Sequence, residues 1–215
     1  MAVAMKEDIL EQIVEDYLLH KGYFVRHNLK FRPRKDHPDF KPKQDAVHSD
    51  IDVLGYHPSK TGHDKVWVVS CKSWLGGFYP SGILEAILDN KKLNGRDAWK
   101  GYRELTCPKW PEAFLKTIRN ATGEDCFTYF LAVTRIKTKK GKKAKSQEEE
   151  MRTWQSHKPF QKALGGNPHR IITLREMTDK ITRKVAKTGT PETTEVGRMI
   201  QLFLAAEIIT APKTD

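Results

Sequence analysis

The chain has 215 residues, of which 38% are hydrophobic and 30% are charged, enough for one hydrophobic core with a few appended helices. Its 38 Lys and Arg residues against 27 Asp and Glu residues give a formal net charge of +11, which makes nucleic acid the leading class of partner and leaves acidic proteins and membrane surfaces as alternatives. We expect a single domain over residues 1–215.

The first residues of the chain, its longest apolar tract and its cysteines indicate the cellular compartment. The first segment, MAVAMKEDILEQ, lacks the apolar core of a signal peptide, and the tract MIQLFLAAEII is too short and too interrupted by Gln201 and Glu207 to cross a bilayer. Cys71, Cys107 and Cys126 have no paired spacing, which argues against a disulfide framework or a structural zinc site. We therefore expect a cytoplasmic protein with reduced cysteines and no membrane partner.

The first half of the chain predicts one helix and three strands. Helical periodicity predicts a helix from Lys6 to His20. Aromatic and branched side chains predict strands over residues 23–31, 46–57 and 65–74, and a short turn joins the last two as a hairpin. Proline and charge between the first two strands, over residues 32–44, predict a loop.

The second half alternates helices and strands. Helices are predicted over residues 83–93, 111–120, 176–187 and 192–209, and strands over residues 126–136 and 170–174. Residues 137–150 are a low-complexity charged segment, predicted to be a loop that either contacts a phosphate backbone or is simply solvated. This order predicts an α/β fold, a three-layer sandwich in which helices flank a central mixed sheet. Its core spans about residues 6–175, with C-terminal helices 176–210 packed on it.

Polar residues interrupt the two strands of the predicted hairpin. Alternate strand residues share a face, so Asp50 and Asp52 are expected to point one way and Ile51 and Val53 into the opposite layer, and Ser70 and Lys72 are expected to share a face of the next strand. Such a polar group is unfavourable in a core unless it has a function. Magnesium prefers oxygen ligands, which Asp52 and the backbone carbonyl of Cys71 could supply. Lys72 would then orient or deprotonate an attacking water and offset phosphate charge.

The segments SDIDVLG and VVSCKSW resemble the paired-strand motif of the PD-(D/E)XK, or restriction-endonuclease-like, nuclease superfamily. Asp52 matches its first acidic residue and Lys72 its lysine. The segment EQIVEDYLLHKGYFVRHN resembles the opening helix and strand of small resolvase-like and restriction-type members, in which Glu11 falls where a helix carboxylate helps to hold the metal. The resemblance covers about residues 7–95.

This resemblance implies a restriction-endonuclease-like core and a Mg²⁺-dependent endonuclease, with Mn²⁺ as a substitute, that hydrolyses DNA in restriction, phage defence, recombination or repair. It implies Asp52, Lys72 and Glu11 as catalytic residues, and Asp52, Glu11 and the Cys71 carbonyl as metal ligands. Many such enzymes act as homodimers or in larger defence or repair complexes.

The sequence departs from the motif at Ser70, where the superfamily usually has an acid. A hydroxyl binds magnesium more weakly than a carboxylate, so another acid is needed. The candidates are Asp50, on the neighbouring strand, and Glu85, on the following helix, although each is also explained as a solvent-facing acid.

Basic and aromatic side chains accompany these strands. The predicted phosphate contacts are Lys91, Lys92, Arg96, Arg135 and Lys137. Trp67 is expected in the core opposite Lys72, whereas an exposed Trp74 could stack on unpaired bases. Two alternatives stay open: a catalytically weakened nucleic-acid-binding module of the same fold, and a basic interaction protein.

Overall fold

The computed structural model describes residues 8–93, 95–139, 145–188 and 192–212. The strands are β1 (Phe24–Phe31), β2 (Ser49–Tyr56), β3 (Val66–Lys72), β4 (Lys92–Leu93), β5 (Arg96–Asp97), β6 (Thr128–Val133) and β7 (His169–Thr173). The helices are α1 (Ile9–His20), α2 (Pro42–Asp45), α3 (Pro80–Leu88), α4 (Arg103–Thr106), α5 (Lys109–Thr122), α6 (Gln147–Gln155), α7 (Lys158–Ala163), α8 (Leu174–Val185) and α9 (Glu195–Ala205).

A mixed five-stranded sheet forms the centre of the fold, in the order β1-β2-β3-β6-β7. The first three strands pair antiparallel, whereas β6 runs parallel to both β3 and β7. Every residue of β6 is buried, as its continuous apolar run predicts for a strand covered on both faces. The predicted α/β class with a mixed central sheet is confirmed.

Helices pack on both faces of this sheet. On one face, α1, α8 and α9 contribute Val14, Leu18, Met177, Ile181 and Ile200 to a core that also holds Trp67. On the other face, α3, α5 and α6 contribute Ile83, Trp110, Phe114 and Trp154. The placement of Trp67 opposite Lys72 is confirmed, because the Lys72 ammonium lies over Tyr102, which belongs to the second core.

Strict alternation of side chains fails in the β1–β2 pair. Asn28 has a φ of 54°, and the register passes from His27 opposite Val53 to Leu29 opposite Ile51 across it. Val53 packs with the α1 layer, whereas Ile51 packs with the α5 layer. The expectation that Ile51 and Val53 enter one layer is therefore wrong. The change of face occurs at the residue between them, which is Asp52.

The helix predicted over residues 83–93 and the loop predicted over residues 32–44 need correction. The helix predicted over residues 83–93 begins at Pro80 and ends at Leu88, because Asn90 has a φ of 51° that a helix cannot contain. Residues 92 and 93 instead form β4, which pairs with β5. Pro42 begins α2 within the segment predicted as a loop over residues 32–44, since proline fits the first turn of a helix.

The charged segment over residues 137–150 is not a loop throughout. Its residues 140–144 lie outside the described part of the chain, but Gln147 begins α6. The Ser146 hydroxyl accepts a hydrogen bond from the Glu149 N–H, and the Glu149 carboxylate accepts one from the Ser146 N–H. This capping box stabilises a helix start despite the low-complexity composition.

Candidate active site

The strands β2 and β3 separate at the residues singled out by the sequence. Their ladder runs as far as Val53 opposite Val69. Beyond it, Asp52 Oδ2 accepts hydrogen bonds from the Cys71 backbone N–H at 2.5 Å and from Ser70 Oγ at 3.3 Å. The carboxylate thus occupies the fork between the strands. Because the N–H and C=O of a strand residue point to the same edge, the Cys71 carbonyl also faces this fork.

Lys72 is held at the same fork by two contacts. Its Nζ donates a hydrogen bond to Ser70 Oγ at 3.2 Å and lies 5.7 Å from the centroid of the Tyr102 ring. The Lys72 ammonium also interacts electrostatically with Asp52. The structure therefore brings Asp52, Ser70 and Lys72 together, as the hairpin predicts, while their catalytic roles stay predictions.

Burial makes the Asp52 carboxylate unfavourable in its charged form. It raises the pKa of Asp52 above the usual range for an aspartate, although Lys72 and the Cys71 N–H act in the opposite direction. The nearby charge of Asp50 raises the pKa of Asp52 further. A bound cation would relieve this by adding positive charge beside the carboxylate.

The structure adds a second buried acid that sequence reasoning missed. Glu104, on α4, is only 7% exposed, and its Oε1 accepts a hydrogen bond from the Tyr129 hydroxyl at 2.7 Å. Tyr129 lies on β6, and its hydroxyl also interacts with the Ser70 side chain. The hydrogen-bonded pair of Glu104 and Tyr129 therefore lies near Ser70, which itself donates to Asp52.

Glu104 shares the electrostatics of the fork. Burial raises the pKa of Glu104, while the charge of Lys72 and the hydrogen bond from Tyr129 lower it. The charge of Asp52 raises the pKa of Glu104 as well, which places both acids within electrostatic range of each other. Two buried carboxylates therefore share Lys72 as a common cation.

The helix α1, which carries Glu11, is tied to the end of β3 through Asp8. Asp8 caps α1 by accepting a hydrogen bond from the Leu10 N–H at 2.8 Å, and it accepts another from the Ser73 hydroxyl at 2.8 Å, which ties the helix to the end of β3. Burial raises the pKa of the Cys71 thiol, and the negative charges of Asp52 and Glu11 raise it further. Glu11 is therefore within electrostatic range of Cys71, whose side chain packs in the α1 layer rather than beside Lys72.

The two acids predicted to replace the one absent at Ser70 lie on the surface. Asp50 is exposed and faces Lys30 across the β1–β2 ladder. Glu85 is exposed on α3 and pairs with Lys91 at 2.8 Å, so the structure gives its role no support. Among the described residues, no group of three or more His, Cys, Asp and Glu side chains is arranged to hold a metal ion.

The predicted phosphate contacts fall into two groups. Lys91 is paired with both Glu85 and Asp89 at 2.8 Å, and Lys92 follows it in β4. Arg135 and Lys137 are exposed beyond the end of β6. Their backbones bracket Phe78, because the Phe78 N–H donates to the Arg135 carbonyl at 2.8 Å and the Lys137 N–H to the Phe78 carbonyl at 2.7 Å. Arg96, in β5, lines a pocket described below.

No family model matches the chain, and neither the curated proteins nor the solved structures contain a significant match. Within the part of the chain that the structure describes, no helix combines the length and the apolar character needed to span a membrane.

Proposed function

We propose that the protein is a metal-dependent nuclease with a restriction-endonuclease-like core that hydrolyses phosphodiester bonds of DNA. One observation carries the proposal: the carboxylate of Asp52, the backbone of Cys71 and the ammonium of Lys72 converge where β2 and β3 separate. The motif that SDIDVLG and VVSCKSW resemble places its metal ligands and its lysine on such a pair of strands. The net charge of +11 supports a nucleic-acid substrate.

The donor atoms at the fork suit a hard divalent cation. Asp52, the Cys71 carbonyl and Glu104 would hold Mg²⁺, or Mn²⁺ in its place, through oxygen ligands. Such an ion supplies Lewis acidity and a more acidic bound water. The raised pKa values of both carboxyls support this assignment, since each acid is buried with less positive charge than it needs. Glu11 would assist from the α1 side of Cys71.

The chain's own residues would orient the reaction. Lys72 is fixed between the Ser70 hydroxyl and the Tyr102 ring, so its ammonium can contact a phosphate oxygen and orient the attacking water. The Ser70 hydroxyl, which is uncharged, accepts a hydrogen bond from Lys72 and donates one to Asp52. Arg135 and Lys137 would hold the flanking backbone. The resemblance implies a role in restriction, phage defence, recombination or repair, with homodimers or larger complexes typical of the class.

A second candidate rests on Ser70 itself. Without an acid at this position, a module of the same fold could bind nucleic acid through its basic surface and no longer cut it. A basic interaction protein is the further alternative, because charge alone also favours acidic proteins.

A cleavage assay separates these functions. Linear, circular and single-stranded DNA and an RNA are incubated with the protein in Mg²⁺, in Mn²⁺ and in chelator. We expect metal-dependent cleavage of DNA that is lost in chelator and in Lys72→Met. Salt-sensitive binding without cleavage would support the weakened module, and indifference to every nucleic acid would leave only the interaction protein.

A further inference from the structure

A pocket of about 760 Å³ opens beside the candidate active site, within the roughly 300–1,000 Å³ typical of ligand pockets. Tyr102 joins the two, because it is among the residues that line the pocket, although only 1% of it is exposed, and its ring lies 5.7 Å from Lys72 Nζ. Trp74, two residues beyond the end of β3, forms another wall and is 39% exposed. A molecule in this pocket would therefore lie next to any phosphate bound at Lys72.

The lining of the pocket combines flat apolar surfaces with positive charge. Ile83 and Leu93 add aliphatic surface beside the exposed ring of Trp74. Arg96 is exposed and forms no ion pair with any described residue, whereas the neighbouring Lys100 and Asp97 neutralise each other at 2.8 Å.

Arg103 adds a second unmatched donor. Its Nε is buried and has no hydrogen-bond partner among the residues that the structure describes. Its guanidinium lies 4.7 Å from the centroid of the Trp110 ring, so the side chain is held in place by stacking. Arg103 therefore adds a second positive charge to the lining of the pocket.

We infer that this pocket binds one unpaired nucleotide of a nucleic-acid strand, with its base against the exposed ring of Trp74 and its phosphates beside Arg96. An aromatic wall suits any base, since every base has a π-face, and a guanidinium group suits the phosphates that flank it. A base stacked within a duplex cannot enter, so the nucleotide must come from a single strand or be flipped out. The inference rests on the proposed function only in taking the adjoining phosphate to lie at Lys72.

The test compares two strands of equal charge in chelator, so that nothing is cut. One is a single-stranded DNA 12-mer and the other is a strand of the same length with every base removed. We expect the wild-type protein to prefer the strand with bases and Trp74→Ala to lose that preference, by roughly the 5- to 150-fold that loss of one base stack gives. Arg96→Ala should weaken binding of both strands alike.

The matched control is Phe24→Ala, which removes an aromatic ring from a residue that is 70% exposed. Phe24 lies in β1, opposite Tyr56 at the far end of β2. Phe24→Ala should keep the preference for bases. Equal binding of the two strands by the wild-type protein, or a preference retained in Trp74→Ala, would overturn the inference. A preference for bases without cleavage in Mg²⁺ would contradict only the nuclease proposal. Cleavage without a preference for bases would contradict only the proposed binding of a nucleotide in the pocket.

Discussion

The Tyr129 hydroxyl donates a hydrogen bond to Glu104 Oε1 across 25 residues of sequence, at 2.7 Å. Since Tyr129 also interacts with Ser70, the contact anchors a buried carboxylate beside the position that lacks an acid. Glu104→Gln keeps a hydrogen-bond acceptor for Tyr129 and removes only the charge. This variant therefore separates the effect of the charge from the effect of the hydrogen bond.

Glu104→Gln should lower the rate of DNA cleavage by at least about 10-fold and weaken Mn²⁺ binding, which electron paramagnetic resonance measures without any cleavage. Ser70→Glu in the same protein should restore part of both, because it returns a carboxylate to the fork. Glu85→Gln, which changes an exposed acid paired with Lys91, should change neither. Unaltered Mn²⁺ binding in Glu104→Gln would show that Glu104 has only a structural role.

Asp52→Asn should stabilise the metal-free protein at pH 7. Burial raises the pKa of Asp52 in the folded state, so its favourable contribution is complete below the unfolded pKa and is lost as pH rises through the folded value. Asparagine does not ionise and loses nothing over that range. The Tm of the variant should exceed that of the wild type at pH 7, and the difference should shrink as pH falls below the usual range for aspartate. For this chain length, about 1 kcal/mol corresponds to about 2–4 °C. A lower Tm at pH 7 would contradict the prediction.

The ion pair of Lys109 with Asp45 should stabilise the protein at pH 7, in contrast to the charged carboxylate of Asp52. Both side chains are buried, Lys109 also donates to the Asp39 carbonyl at 2.7 Å, and Asp45 accepts from the Lys41 N–H at 2.7 Å. Lys109→Met leaves a buried carboxylate without its cation and should reduce the free energy of unfolding by about 3–5 kcal/mol, as measured in urea.

The ion pair of Lys109 with Asp45 also makes the stability of the protein sensitive to acid. Although burial raises the pKa of Asp45, Lys109 and the Lys41 N–H lower it more, so the net shift is downward. Its stabilising contribution is present above the unfolded pKa and is lost as pH falls through the lowered folded pKa. Lys109→Met should therefore lose less stability on acidification than the wild type does. Equal acid sensitivity of the two proteins would argue against the ion pair as its cause.

Arg135→Ala should weaken DNA binding and reduce the slope of log affinity against log salt by about 0.9, the value for one phosphate contact to B-DNA. Lys91→Ala is the matched control, because Glu85 and Asp89 already neutralise Lys91. Fluorescence anisotropy over a series of salt concentrations measures both slopes. A larger change for Lys91→Ala than for Arg135→Ala would reverse the assignment of the DNA-facing surface.

The strands and their polar fork were predictable because they depend on local signals. Alternation within seven or eight residues and one short turn suffice to bring Asp52, Ser70 and Lys72 together. The capping box of Ser146 and Glu149 was also readable, but the charged composition around it obscured the helix.

Glu104 and the change of face at Asp52 were not predictable in this way. The helix α4 has four residues, too few to show a period, and its contact with Tyr129 forms only when the chain folds. The left-handed conformation of Asn28 changes which side chains of β1 and β2 face each layer. A prediction from alternating side chains assumes regular strands throughout and cannot include this change.

The most direct test of the central claim is the initial rate of DNA cleavage in Mg²⁺ by Asp52→Asn beside Asp125→Asn. Asp125 is an exposed aspartate that pairs with Arg119 at 2.9 Å. We predict that the Asp125 variant cleaves like the wild type, and that the Asp52 variant, although folded, is slower by about 100-fold or more. Cleavage by Asp52→Asn at the wild-type rate would contradict the account.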